Sequence, residues 1–124
     1  MKIFRTIAMV FLGFAVLAPA FAVPRSPLPP IRADQARANT GQNVTVRGVV
    51  QGNHRDHRLG QYLDLDSTGM LPVFAGYIPV GNQGQFPAFE ELKGREVEMT
   101  GTIAMRHGYP IMFLTNKTQL RVVR

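Results

Sequence analysis

Gly41-Gln-Asn-Val44-Thr-Val46-Arg-Gly48-Val-Val50 returns further along the chain as Gly94-Arg-Glu-Val97-Glu-Met99-Thr-Gly101-Thr-Ile103. Each copy opens on a Gly, places apolar residues at the third and fifth positions after it, carries a second Gly at the seventh and closes on an apolar ninth. Alternation of apolar with polar residues is the period-two signature of a strand with one buried face. An internal Gly weakens such a strand, so it marks a bulge, a sharp bend or a close approach of backbones. Two long strands bent at an internal Gly point to a small closed barrel in which single strands serve both halves. Two ordinary hairpin strands that happen to carry Gly are the alternative.

Working outward, residues 31–39 can form a short helix from Ala33, Ala36 and Ala38, stopped by Gly41. The first strand covers about 42–51, and the polar, Gly-bounded segment Gly52-Asn-His-Arg-Asp-His-Arg-Leu-Gly60 reads as a loop. A second strand spans about 61–66, with Leu63 and Leu65 inward and Tyr62, Asp64 and Asp66 outward; a third spans about 71–79 after the turn Ser67-Thr-Gly69. A brief helix over 86–92 precedes the second Gly-bent strand, Arg106-His-Gly108 turns the chain, and strands over 109–114 and 119–123 complete it. Phe74, Phe86, Phe89 and Phe113, with Val46, Val50, Leu63, Leu65, Val97, Ile103 and Ile111, are the expected core.

The amino terminus reads as an export signal. Lys2 and Arg5 precede the apolar run from Ile7 to Leu17, and Ala18-Pro-Ala20-Phe-Ala22 supplies a small-residue cleavage site. Residues 1–22 are therefore expected to be removed, with cleavage after Ala20 the close competitor, leaving a periplasmic or secreted chain without a membrane span. Residues 23–40 form a Pro-rich lead (Pro24, Pro27, Pro29, Pro30) and the short helix; 41–124 form one domain. With no Cys there is no disulfide staple, no thiol chemistry and no Cys-based metal site, so a hydrogen-bonded sheet must supply the cooperativity. Loss of Lys2 and Arg5 lowers the basic count from 14 to 12 against 8 acidic residues, and all the remaining cations but Lys93 and Lys117 are Arg. Arg offers a planar fork that matches phosphate and can stack on bases.

The element order strand-strand-strand-helix-strand-strand is that of the OB-fold, an all-β, five-stranded Greek-key barrel. The chain resembles the small exported bacterial OB-fold proteins, which are similar to OB modules of the tRNA-anticodon-binding type and to OB domains of secreted nucleases. The residues that carry the resemblance are Ala33-Asp-Gln-Ala36, Val44-Thr-Val-Arg-Gly48-Val-Val50, Tyr62-Leu-Asp-Leu65, the run from Phe74 to Ile78, Leu92-Lys-Gly94-Arg-Glu-Val97-Glu-Met-Thr-Gly101-Thr-Ile103, the run from Ile111 to Leu114, and Gln119-Leu120. In such barrels oligomeric ligands lie across the second and third strands, between the first-second and fourth-fifth loops. The resemblance thus implies one mouth formed by His54, Arg55, His57 and Arg58 in one loop and Arg106, His107 and Tyr109 at the other. Arg55, Arg58, Arg106 and His107 would track phosphates, and Tyr62, Tyr77 and Tyr109 would stack bases, the usual single-strand scheme.

Other readings stay open. A protein contact in the cell envelope would need no phosphate groove. His54, Asp56, His57 and His107 invite a cation site, although the flanking Arg residues oppose one. With no Ser elbow, no Gly-rich phosphate loop and no convincing inward carboxylate pair, the chain is expected to be a non-enzymatic binding module without a cofactor.

Overall fold

A computed structural model describes residues 28–67 and 72–124. The expected signal segment and part of the turn before the third strand lie outside the described residues. Among those described, the strands are β1 (Ile31–Arg32), β2 (Asn43–Arg55), β3 (Gln61–Leu65), β4 (Phe74–Ile78), β5 (Glu96–Arg106), β6 (Tyr109–Phe113) and β7 (Leu120–Val122), with a 3-10 segment (Val80–Gln85) and one α-helical turn, α1 (Phe89–Leu92), between β4 and β5. The hydrogen-bonded order β1-β2-β3-β4-β6-β5-β7 is closed by a further pairing of β2 with β5. β2, β3, β4, β6 and β5 therefore form a five-stranded ring, mixed because β4 and β6 run parallel. This is the OB-fold barrel.

The repeated sequence explains how the ring closes. β2 and β5 pair antiparallel from Asn43↔Thr102 to Val49↔Glu96, so the two copies lie against each other head to tail. The Gly41 amide donates to the Ile103 carbonyl at 2.7 Å, and the Gly94 amide donates to the Val50 carbonyl at 2.7 Å. In return the Ile103 amide donates to the Gln42 carbonyl and the Val50 amide to the Arg95 carbonyl. Both leading glycines are left-handed, φ 86° and 81°, a conformation that costs Gly least. Beyond the internal glycines each strand changes partner. β2 leaves β5 after Val49 and joins β3 from Val50, with a register shift between Val50 and Gly52. β5 leaves β2 after Thr102 and joins β6 from Ile103. A Cβ on Gly48 would stand 2.9 Å from Asp66 Oδ2, and one on Gly101 would stand 3.0 Å from Met112 Cγ, so both positions are close approaches.

Inside the ring lie Val46, Val50, Leu63, Leu65, Phe74, Ile78, Val97, Met99, Ile103, Met112 and Leu114, with Ala33, Ala36 and Leu92 covering the ends. Burial of each large side chain stabilises by about 1.5–3 kcal/mol. Several expectations need correcting. Residues 31–39 form a two-residue strand parallel to β2 and two 3-10 turns (Ala33–Gln35 and Arg37–Asn39) in place of one helix. β2 runs on to Arg55, so the first loop is shorter than the sequence suggests. Phe113 is 44% exposed and is no part of the core, while Ile111 is buried in a second cluster outside the barrel.

Candidate functional site

That second cluster defines the site. Along β4 the inward positions are Phe74, Gly76 and Ile78; Ala75 and Tyr77 face outward, yet all five residues are buried. The outer face is covered by its own side chains. His54 on β2 is register partner of Tyr62 on β3, Tyr62 of Tyr77 on β4, and Tyr77 of Phe113 on β6. Four rings thus form one row across four strands. His54 stacks on Tyr62 with centroids 4.4 Å apart and planes 7° from parallel. Tyr62 and Tyr77 meet at 4.7 Å, and Tyr77 meets Phe113 edge-on at 5.6 Å. Such pairs each contribute about 0.5–1.5 kcal/mol beyond area burial. The Arg106 guanidinium caps the row, 5.3 Å from the Tyr77 centroid and 5.7 Å from that of Phe113.

The loop between β2 and β3 is built around Asp56. Its carboxylate accepts from Tyr77 Oη at 2.9 Å and from the amides of Arg58 and Gly60, both at 2.9 Å. Burial opposes ionisation here, but those hydrogen bonds outweigh it and hold the Asp56 carboxyl below its ordinary value. Gly60 is forced by the ring it faces: a Cβ there would stand 2.0 Å from Tyr77 Oη. Burial, and then the bond to Asp56, push the Tyr77 phenol upward, and burial raises Tyr62 as well. Tyr109 is pushed up to about 12, chiefly by burial. Asp64 is raised by burial, against the opposing influence of His54, whose Nδ1 lies 3.4 Å from its Oδ2.

The residues expected at the mouth divide. Tyr62, Tyr77, Arg106 and Tyr109 converge, with Tyr62 and Tyr109 centroids 6.4 Å apart. Tyr62 and Tyr77 are only 2% and 6% exposed, so neither ring is an open platform; alternation along β3 assigned Tyr62 to the outer face but could not show that His54 covers it. Arg55 lies at the end of β2, on the face opposite His54, where its Nη1 donates to the Leu59 carbonyl and to Gln83 Oε1, both at 3.1 Å. Arg58 is exposed in the loop, and His107 is exposed with Gly108 in a turn whose φ values are 53° and 87°. Arg37 joins the rim unforeseen, its Nη2 donating to the Gly108 carbonyl at 2.7 Å. His54 was expected in the loop at the mouth but not as a ring stacked on Tyr62, and Phe113, expected in the core, was not foreseen as a site residue. One signal pointed to the covered face: Phe74-Ala-Gly-Tyr-Ile78 has no polar residue, the mark of a strand buried on both sides.

Among the described residues no group of three or more His, Asp or Glu converges as a metal site. His54 is taken up by Tyr62 and Asp64, and Asp56 by Tyr77 and its own loop. Nor is any described helix long and apolar enough to cross a membrane.

Barrel, face and rim together define a protein of the OB-fold class. Among solved structures the chain is similar to two OBodies bound to hen egg-white lysozyme: TM-score 0.54 for both, identities of 16% and 15%, covering 81% of this chain and 98% of each OBody. It is also similar to asparaginyl-tRNA synthetase from Pyrococcus horikoshii, with TM-score 0.52 and 13% identity, covering 77% of this chain but 23% of the synthetase. At those identities the likeness is one of fold. No family model and no curated protein matches the sequence.

Proposed function

We propose that this chain is an exported, non-enzymatic binding module whose outer β3–β4–β6 face and flanking loops take single-stranded nucleic acid or a similar anionic oligomer. One observation carries the proposal. Arg106 lies over the Tyr77 and Phe113 rings, Arg58 stands in the Asp56 loop that Tyr77 anchors, Arg37 binds the Gly108 carbonyl, and none of the three Arg side chains pairs with a carboxylate among the described residues. The two carboxylates nearest the row, Asp56 and Asp64, are engaged by Tyr77 and His54. A cationic rim beside aromatic rings suits phosphates and bases together. The fold likeness to a tRNA synthetase agrees with this reading. Export rests on the segment before Val23, and a mature protein beginning at Val23 or Phe21 is the expected product in its host.

The test is titration of a labelled oligonucleotide at low and moderate salt. Arg58→Ala and Arg106→Ala should weaken binding to any sequence, each flattening the log–log salt slope by about 0.7. Absence of saturable binding at low salt by folded protein would end this reading. A second reading, contact with an envelope protein, draws on the OBodies bound to lysozyme and on Phe113, 44% exposed beside Arg106. It would then stand alone.

A further inference from the structure

We propose that His54 and Phe113, the two ends of the aromatic row, are the platforms on which unpaired bases of a single strand stack, the buried tyrosines between them serving as support. This rests on the reading of the face as a nucleic-acid surface. The inner rings are closed off, since Tyr62 and Tyr77 are 2% and 6% exposed. The end rings are open: the His54 side chain is 44% exposed and Phe113 is 44% exposed.

His54 is held for this role. One face of its ring lies flat on Tyr62, and its two nitrogens meet Asp64 Oδ2 at 3.4 Å and Tyr109 Oη at 3.5 Å. Its other face is what a base would meet. Swinging His54 aside to reach Tyr62 would strip Asp64, whose side chain is 14% exposed, of the one partner it has among the described residues; its Oδ1 already has none. Leaving a largely buried carboxylate unpaired is costly, whereas adding a base to an exposed ring displaces only water. At the other end, Arg106 stands over Tyr77 and Phe113 and places a cation beside the second platform for the phosphate that follows its base. Three interstrand steps, about 14 Å, separate the platforms, so they take different bases of one strand.

The experiment uses fluorescence anisotropy with a fluorescein-labelled oligothymidylate of about twelve nucleotides, within the span such a barrel covers. His54→Ala and Phe113→Ala should each weaken binding about five-fold or more with the salt slope unchanged, the signature of lost stacking rather than lost charge. His54→Phe, which keeps a ring, should retain affinity; His54→Gln, which keeps a donor toward Asp64 without the ring, should not. The Gln variant carries the test if His54→Ala melts early. Variants that bind like the parent, while Arg106→Ala still flattens the salt slope, would overturn the platforms and leave the nucleic-acid reading intact. Tighter binding by His54→Ala would also overturn the proposal, because His54 would then be a cover over Tyr62. No binding by the folded parent at low salt would remove both readings.

Discussion

The barrel presents two outer faces made from similar residue types and used in opposite ways. Across β2, β5 and β7 the charges neutralise one another. Arg47 and Arg121 both donate to Glu98, at 3.0 and 2.6 Å, and Arg124 Nη2 pairs with Glu96 at 2.7 Å. Thr45 and Thr100 share a hydrogen bond of 2.7 Å beside them. Across β3, β4 and β6 the cations rest on rings and carbonyls: Arg106 over Tyr77 and Phe113, Arg37 on the Gly108 carbonyl. A cation already matched by a carboxylate has little left for an outside anion, whereas one leaning on a ring keeps its charge available. Net charge alone, +6 over the whole sequence, does not reveal this; its distribution does.

The largest effect should come from adding a methyl group where the aromatic face meets its loop. Gly60→Ala would place a carbon inside the Tyr77 ring's space, and that hydroxyl is anchored to Asp56. Destabilisation of about 3 kcal/mol is expected, at the upper end of overpacking. Gly48→Val and Gly101→Val, on the strands that pair β2 with β5, should cost about 1–3 kcal/mol. Denaturant melts of the three variants decide the ranking; a Gly60→Ala protein as stable as the parent would mean that the row does not hold the loop.

The paired face is tested by acid. The bond from Arg47, ahead of the opposing effect of burial, holds the Glu98 carboxyl below its ordinary value of 4.5. A depressed folded-state value contributes stability above the unfolded value and loses it as pH falls through the folded one. Glu98→Gln should therefore be less stable than the parent by about 1 kcal/mol at neutral pH, given the exposure of both Arg side chains. The gap should close as pH falls below 4.5. Melting curves that stay equally separated at low pH would show that the pair matters through shape rather than charge.

The aromatic face is tested by alkali. The chain has 3 Tyr, all in the outer cluster, and all three are raised from the ordinary 10.0 by burial first. A raised folded-state value contributes stability below the unfolded value and loses it as pH rises through the folded one. A phenolate absorbance titration should show little ionisation at pH 10, with Tyr109 following near about 12 or on unfolding. A full tyrosine signal at pH 10 from folded protein would mean that the rings are open to water.

What the sequence disclosed of each face follows from the range of the interactions involved. Alternation around Val44, Val46, Val97 and Met99 is local, so strands, interior and the partner change beyond Gly48 and Gly101 could be read directly. The row of rings is not local. It depends on register among β2, β3, β4 and β6, and on β2 continuing past Gly52, where a Gly-bounded polar segment looks like a loop. Phe113 read as core because it is apolar, but it lies on the outer face of β6, the last ring of the row, and no further ring covers it. Arg55 was placed at the mouth by position in the chain; β2 runs past its expected end near 51 to Arg55, and alternation turns that residue to the face opposite His54.

The seam between β4 and β6 has a consequence in time. It is parallel and has three partner pairs, Ala75↔Ile111, Gly76↔Met112 and Tyr77↔Phe113, the last of which joins the row to its outer end. The hairpins β3–β4 and β5–β6 can each form early, being close in sequence, but a parallel seam between them must wait for both. Neither hairpin alone holds Tyr77 against Phe113. The aromatic face therefore arises only with the finished ring, and a newly made, half-folded chain has no such surface to offer.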